Sequence, residues 1–408
     1  MSTRRDTSAL AVASLVSGAL AYVVFATTTR ALGTVDAAPV AVLWTWWGLS
    51  AAAITFPVQH WMARSVAAHG GFAAVRAAIP VVAGASLAIA VLAGGLAWLL
   101  RDPLFDRGDA GFPALVAALT FGSFAMGAIR GALTAHERFR GLAVTIVAEN
   151  GVRTVGVLAL WAAGVDSPLA YGLVLVAGHA CGLAWASALA LPATGETGPD
   201  PRGAALSLLA GASAGQLLAQ FVLTGGPLVL AVQGGAATDV TALFVALAVY
   251  RAPFIVALGV VPQLTGRVTR SVVEGRHDDV RRLRRALLAG TAVLAAGAVG
   301  VGLWVAPPLV RLVFGEDADL PGRPSALLAV GSVLAVANLV ATVLAIAHGR
   351  SRIAAVGWLA GMAGAAVVLV TDLGPLDRIG TAFLLAEAVA FAVLLGVRGV
   401  SPRTPPSG

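Results

Sequence analysis

Residues 77–100 read AAIPVVAGASLAIAVLAGGLAWLL, without one charged side chain, between Arg76 on one flank and Arg101-Asp102 on the other. A helix crossing ~30 Å of hydrocarbon needs about 20 apolar residues, so this run is long enough to span a bilayer. In lipid its backbone polar groups must be satisfied within the segment, and a helix does that. Runs of the same kind recur along the whole chain. They fall at 9–32, 39–63, 77–100, 112–134, 142–163, 167–191, 205–232, 239–264, 287–314, 325–347, 353–372 and 379–397. The reading is an all-α integral membrane protein of about twelve transmembrane helices.

Composition agrees. Mean hydropathy is +0.88, and only 12% of residues are charged, about half the share in soluble domains. A water-soluble fold of this make-up would expose apolar surface on an aggregating scale. Lysine is absent and all 27 Lys-plus-Arg positions are arginine, which points to a GC-rich bacterial genome. The run after Arg4-Arg5 exceeds a signal-peptide core and reads as the first span. The lone cysteine, Cys181, lies in an apolar run and reads as a small buried hydrophobe.

Arginine placement tests the span count independently. With the N-terminus inside, eighteen arginines fall in inner segments and five in outer ones (Arg30, Arg101, Arg107, Arg323, Arg378). That is a strong positive-inside bias, and one missed span would reverse every later loop. The expected location is the bacterial cytoplasmic membrane, multi-pass, with both termini cytoplasmic.

The Pro/Gly-rich break PATGETGPDPRG at 192–203 leaves six runs on each side. Leu133–Val144 (LTAHERFRGLAV) and Ala345–Val356 (AIAHGRSRIAAV) match at six of twelve positions, 212 residues apart. The expected organisation is therefore a six-helix lobe at 1–191, a cytoplasmic linker at 192–204, a second six-helix lobe at 205–398 and a cytoplasmic tail at 399–408. An even number of spans per half gives both halves one orientation. A pseudo-two-fold axis along the membrane normal then relates them, the parallel-repeat arrangement of some transporters.

Several chemistries are excluded or weakened. A GxxxxGK[ST] phosphate loop needs a lysine, so that ATPase motor is absent. The six histidines show no metal-ligand spacing, and neither metal nor cofactor is expected. Gly211–Gly215 (GASAG) fits GxSxG but lies in an apolar helical run, where small residues for helix packing are the better reading. Gly127/Gly131 and Gly357/Gly361 read the same way. Short loops leave little platform for acid–base groups, which counts against an enzyme. Arginines confined to short loops give no nucleic-acid signal.

Ionisable residues inside spans are costly and are functional hypotheses by default. Glu149 and Arg153 lie four apart on one helix face, with Asn150 beside them. They are either a self-neutralising packing pair or a cavity-lining site. Arg251 follows Tyr250 near mid-membrane, and a cavity role or an unseen acidic partner would account for it. Glu387 is isolated in the last span and is a candidate proton or cation site, as is Glu149. Gln216 and Gln220 share a face, for interhelical hydrogen bonding or substrate. Arg30, Arg130 and Arg311, nearer span ends, could snorkel or touch substrate. Gln59 and His60 are weaker candidates. The intramembrane balance is positive, which favours a substrate carrying phosphate or diphosphate, since arginine forks match phosphate oxygens.

The order of local motifs resembles a known family. It runs Arg30-Ala-Leu-Gly33, then Arg130-Gly-Ala-Leu-Thr-Ala-His-Glu-Arg-Phe139. Tyr250-Arg-Ala-Pro253 follows, then Val261-Pro262 with a basic loop holding Glu274-Gly275, and finally Leu312-Val-Phe-Gly315. This series is similar to the polysaccharide-transport branch of the MOP flippase superfamily, relatives of the MATE drug antiporters and of lipid II flippases. The resemblance implies alternating-access flipping of an undecaprenyl-diphosphate-linked oligosaccharide, driven by an ion or the membrane potential. The partners it implies are that lipid-linked substrate or another anionic lipid, membrane lipids, and polysaccharide polymerases or glycosyltransferases. The chain is short for the family, and no acid sits in the first span, which weakens the drug-antiporter alternative. A non-transporting scaffold of a cell-envelope complex is the third reading. Met62–His69 does not match the major-facilitator loop motif.

Overall fold

The computed structural model describes residues 2–255, 257, 268, 271–272, 274–315, 320–347 and 351–396. Val261-Pro262, Glu316, Asp317, Asp319, His348–Arg350 and the tail at 399–408 lie outside them. The described chain is helical, with no strand among the described residues. Its elements are α1 (Ser2–Ser50), α2 (Phe56–His69), α3 (Ala73–Leu99), α4 (Arg101–Phe105), α5 (Gly111–Ala135) and α6 (Phe139–Ala162). They continue as α7 (Pro168–Ala177), α8 (Pro201–Thr224), α9 (Gly226–Val232) and α10 (Ala237–Tyr250). The last are α11 (His277–Gly300), α12 (Ala306–Phe314), α13 (Gly322–Ala347), α14 (Ser351–Leu369) and α15 (Pro375–Gly396).

Among the described residues nine helices are long and apolar enough to cross a membrane, with shorter apolar helices at Ala237–Tyr250 and Ala355–Leu369. The first of the nine runs from Ala9 to His69 and carries the first two expected spans. Its elbow is Gly33, at φ 72° and ψ 176°. That conformation is cheap for glycine alone. Phe25 and Trp44 prove the fold-back: their ring centroids lie 4.3 Å apart, whereas 19 residues of straight helix would separate them by roughly 28 Å.

The contacts divide the chain into two compact units: Met1–Val249 with Ala306–Pro321, and Tyr250–Val305 with Gly322–Gly408. In the first, Ile54, Val58, Trp61 and Met62 pack on Phe124, Ala128, Ile129 and Leu133 of α5. Glycines make the approach possible. A Cβ on Gly127 would lie 2.8 Å from the Thr55 carbonyl oxygen, and one on Gly131 2.8 Å from Met62 Sδ. The GASAG run differs: nothing lies within 4 Å of a Cβ on Gly211 or Gly215. These two glycines show no close neighbour among the described residues, so the packing role expected for them is not found there. The break at 192–204 is folded back on the α2–α3 turn, where Ala73 N donates to Thr194 O (2.8 Å) and Glu196 N to His69 O (3.0 Å).

In the second unit α13, α14 and α15 pack together. Gly361 lets α14 touch α15, since its Cβ would fall 2.5 Å from the Ala386 carbonyl oxygen. Ala341, Ala345, Leu394 and Leu395 form its core, with Leu287, Ile353 and Phe391 against them.

Candidate functional site

Glu149 on α6 is the centre of a buried polar cluster in the first unit. Its Oε2 accepts from Arg130 Nη2 on α5 at 2.7 Å, and its Oε1 from Arg153 Nη2 at 2.7 Å. Trp47 Nε1 of α1 donates to Oε1 at 3.1 Å, and His179 Nε2 stands 3.7 Å from the same oxygen. The carboxylate has no open face. Arg153 is equally saturated at 0% exposure: Nη1 donates to Asn150 Oδ1 (3.0 Å) and Nε to Leu175 O (3.0 Å). Its guanidinium stacks 4.5 Å from the Trp47 ring.

The sequence builds this locally. The i,i+4 spacing puts Glu149 and Arg153 on one face of α6, and Asn150 turns toward α1, donating to Ser17 Oγ at 2.8 Å. Gly178 ends α7 where Arg153 arrives, and a Cβ there would sit 2.3 Å from Nε. The chain continues in 3₁₀ geometry over Gly178–Leu189, broken by a kink at Trp185 (φ -117°, ψ 16°). Two arginines against one carboxylate leave a positive excess in hydrocarbon, held by fork geometry and hydrogen bonds to Thr145.

A second buried acid lies in the other unit. Glu387 on α15 is 0% exposed. Asn338 Nδ2 of α13 donates to its Oε2 at 2.7 Å and to its main-chain oxygen at 2.9 Å. Glu387 Oε1 and Asn338 Oδ1 both remain without a hydrogen-bond partner among the described residues. Two orphaned acceptors side by side are what an added proton would satisfy.

The structure thus brings Arg130, Glu149, Asn150 and Arg153 together and sets Glu387 apart in the other unit. Arg130 is no span-end arginine: it is 9% exposed inside the cluster. Arg251, half-buried just past the end of α10, belongs to the second unit. Gln216 is exposed on α8, and Gln220 on the same helix donates to Thr224 Oγ1 and lies against Gly48. Arg30 donates to the carbonyls of Leu312 and Val313. Arg311 is half-buried on α12 and His60 is exposed. Gln59 reaches Thr134 at 3.5 Å. Trp47, His179, Ser17 and Asn338 were not legible as site residues, because each meets its partner across 30 to 133 residues of chain.

No protein-family model matches the sequence, and no curated protein matches it. Solved structures do match. The MurJ lipid II flippase in an inward closed conformation aligns at a TM-score of 0.67 and 12% identity, over 95% of this chain and 86% of that one. An inward-facing MATE-family multidrug-resistance transporter of the MOP superfamily aligns at 0.64 and 16% identity, over 93% and 96%. An outward-facing form described in the same words aligns at 0.54 and 16% identity, over 96% and 93%. The chain has the fold of MATE and MurJ transporters. In those neighbours the fold carries twelve transmembrane helices in two lobes, the number read from the apolar runs of this sequence. The Gly33 elbow makes the 61-residue helix into two spans, and the two shorter apolar helices at Ala237–Tyr250 and Ala355–Leu369 add two more.

Proposed function

We propose that this chain is a MOP-superfamily transporter that flips a lipid-linked, diphosphate-bearing oligosaccharide across the cytoplasmic membrane by alternating access between lobes 1–191 and 205–398. The observation that carries the reading is the state of Glu149. A transporter of organic cations needs an available carboxylate. In the first unit the one acid deep in the spans among the described residues is consumed by Arg130 and Arg153, leaving net positive charge. That environment suits an anionic headgroup. The shared fold with a lipid II flippase supports the same reading.

The roles divide accordingly. Arg130 and Arg153 set the local potential while held by Glu149. Arg251 is the candidate diphosphate contact, with Gln216 and Gln220 as polar lining. Glu387, with its orphaned oxygen, is the candidate coupling acid, and Glu149 is not, because both its oxygens are engaged. A proton-coupled multidrug antiporter is the second reading, favoured by the MATE neighbours. A fluorescent polyprenyl-diphosphate sugar in proteoliposomes separates them. Wild type should flip it, and Arg251→Ala should lose flipping at normal expression. Efflux of small cations without flipping of the diphosphate lipid would transfer the assignment to the antiporter.

A further inference from the structure

The stretch His277–Phe314 reads as one 38-residue rod, yet it is shared between the two units. α11 lies in the second unit and α12 in the first, and the π-turn Val301–Val305 joins them. Insertions of this kind are common at functional sites because they break helical register. α12 buries Ala306, Val310 and Phe314, and its C-terminal end is held by a polar contact as well. The last carbonyls of a helix lack intrahelical donors and carry the negative end of its dipole. At α12 those of Leu312 and Val313 are met by a single guanidinium. Arg30 Nη2 donates to Leu312 O, and Arg30 Nε to Val313 O at 2.9 Å. Arg30 sits one turn before the Gly33 elbow, so the chain reversal itself aims it.

Two further contacts repeat the pattern on α10. Thr241 Oγ1 donates to Thr34 O at 2.6 Å, and Tyr22 OH donates to Ala248 O. All three are side-chain-to-carbonyl bonds between the first helical hairpin and later segments, 207 to 283 residues away in sequence. Arg30 differs from Arg153 in one decisive respect: it is exposed, whereas Arg153 is sealed. Withdrawing Arg30 returns a charge to water and strands none in hydrocarbon. Such a contact can be made and broken in every cycle, and the Arg153 contacts cannot.

We propose that Arg30 is a releasable latch: it clamps the C-terminal end of α12 to the first helical hairpin in one transport state and lets go in the other. The proposal rests on the transporter reading but is tested without substrate. Spin labels go on Val35→Cys and Leu309→Cys, both exposed positions in the same unit, in a Cys181→Ala background. Pulsed electron spin resonance in lipid nanodiscs then compares Arg30 with Arg30→Gln and Arg30→Lys. Loss of two charge-assisted bonds should raise the long-distance population roughly tenfold in Arg30→Gln. Arg30→Lys should fall between, since an ammonium cannot fork two carbonyls. An unchanged distance distribution in Arg30→Gln overturns the latch. Failure of both variants to fold overturns it too, by making Arg30 a structural cap. If wild type flips no diphosphate lipid while Arg30→Gln still opens, the substrate assignment fails and the latch stands. Flipping with unchanged distances fails the latch alone.

Discussion

Among the described residues two carboxylates are buried, Glu149 and Glu387, and they are opposites. Glu149 has two arginines, an indole N–H and a nearby imidazole around it. Glu387 has one amide donor and an oxygen with no partner. Both are buried to the same degree, so burial does not separate them. The difference is completeness. A saturated acid is a cross-link, whose removal strands buried cations. An unsaturated one keeps capacity for a proton, which makes it the better place for chemistry.

The sharpest way to break this contrast is Glu149→Ala. It leaves Arg130 and Arg153 without their counter-charge, and removing one partner of a buried ionic cluster costs about 3–5 kcal/mol. The variant should fail to accumulate in the membrane or melt far below wild type in a detergent thermal scan. A near-normal melting temperature would show that the cluster is not a cross-link. Next in size is Gly178→Val, whose side chain would enter the Arg153 guanidinium. Overpacking of this kind costs about 1–3 kcal/mol, and the same scan reads it. Asn338→Leu should cost less, about 1 kcal/mol, because the acid it leaves can take up a proton in place of the lost donor. Its melting temperature should therefore become more sensitive to alkaline pH than that of wild type.

The smallest stability effect is expected for Glu387→Gln, within about 1 kcal/mol, since an amide supplies both a donor and an acceptor in the same volume. Its functional effect should be large: transport should lose dependence on an imposed proton gradient. Infrared difference spectra should likewise lose the carbonyl stretch of a protonated carboxylic acid. Retention of gradient dependence in Glu387→Gln would remove it from the coupling role.

The α6 face shows how far sequence reading reaches. The spacing of Glu149 and Arg153 is enough to pair them, since neighbours four apart meet on any helix. The entry of Arg130 is not, because it depends on α5 lying alongside α6. Its position near the end of an apolar run argued for snorkelling instead. Asn338 was invisible for the same reason: the polar atom that identifies Glu387 as unsaturated comes from another helix. Gly33 was quoted only as part of a motif. That its φ turns one continuous helical stretch into two spans became clear from the rings of Phe25 and Trp44 meeting.

Sequence alone determined the membrane class and the apolar runs, because hydrocarbon imposes a length and a composition on each span regardless of neighbours. It also determined the local Glu149–Arg153 ion pair, because helical periodicity is a property of a single element. Only the tertiary structure decided which buried charges are sealed and which are open. It also decided that Arg30 serves carbonyls at the end of another helix and that the rod from His277 to Phe314 divides between two units. Those outcomes depend on contacts between residues tens to hundreds of positions apart, and the free energy of a buried charge is set by the groups packed around it rather than by its own place in the chain.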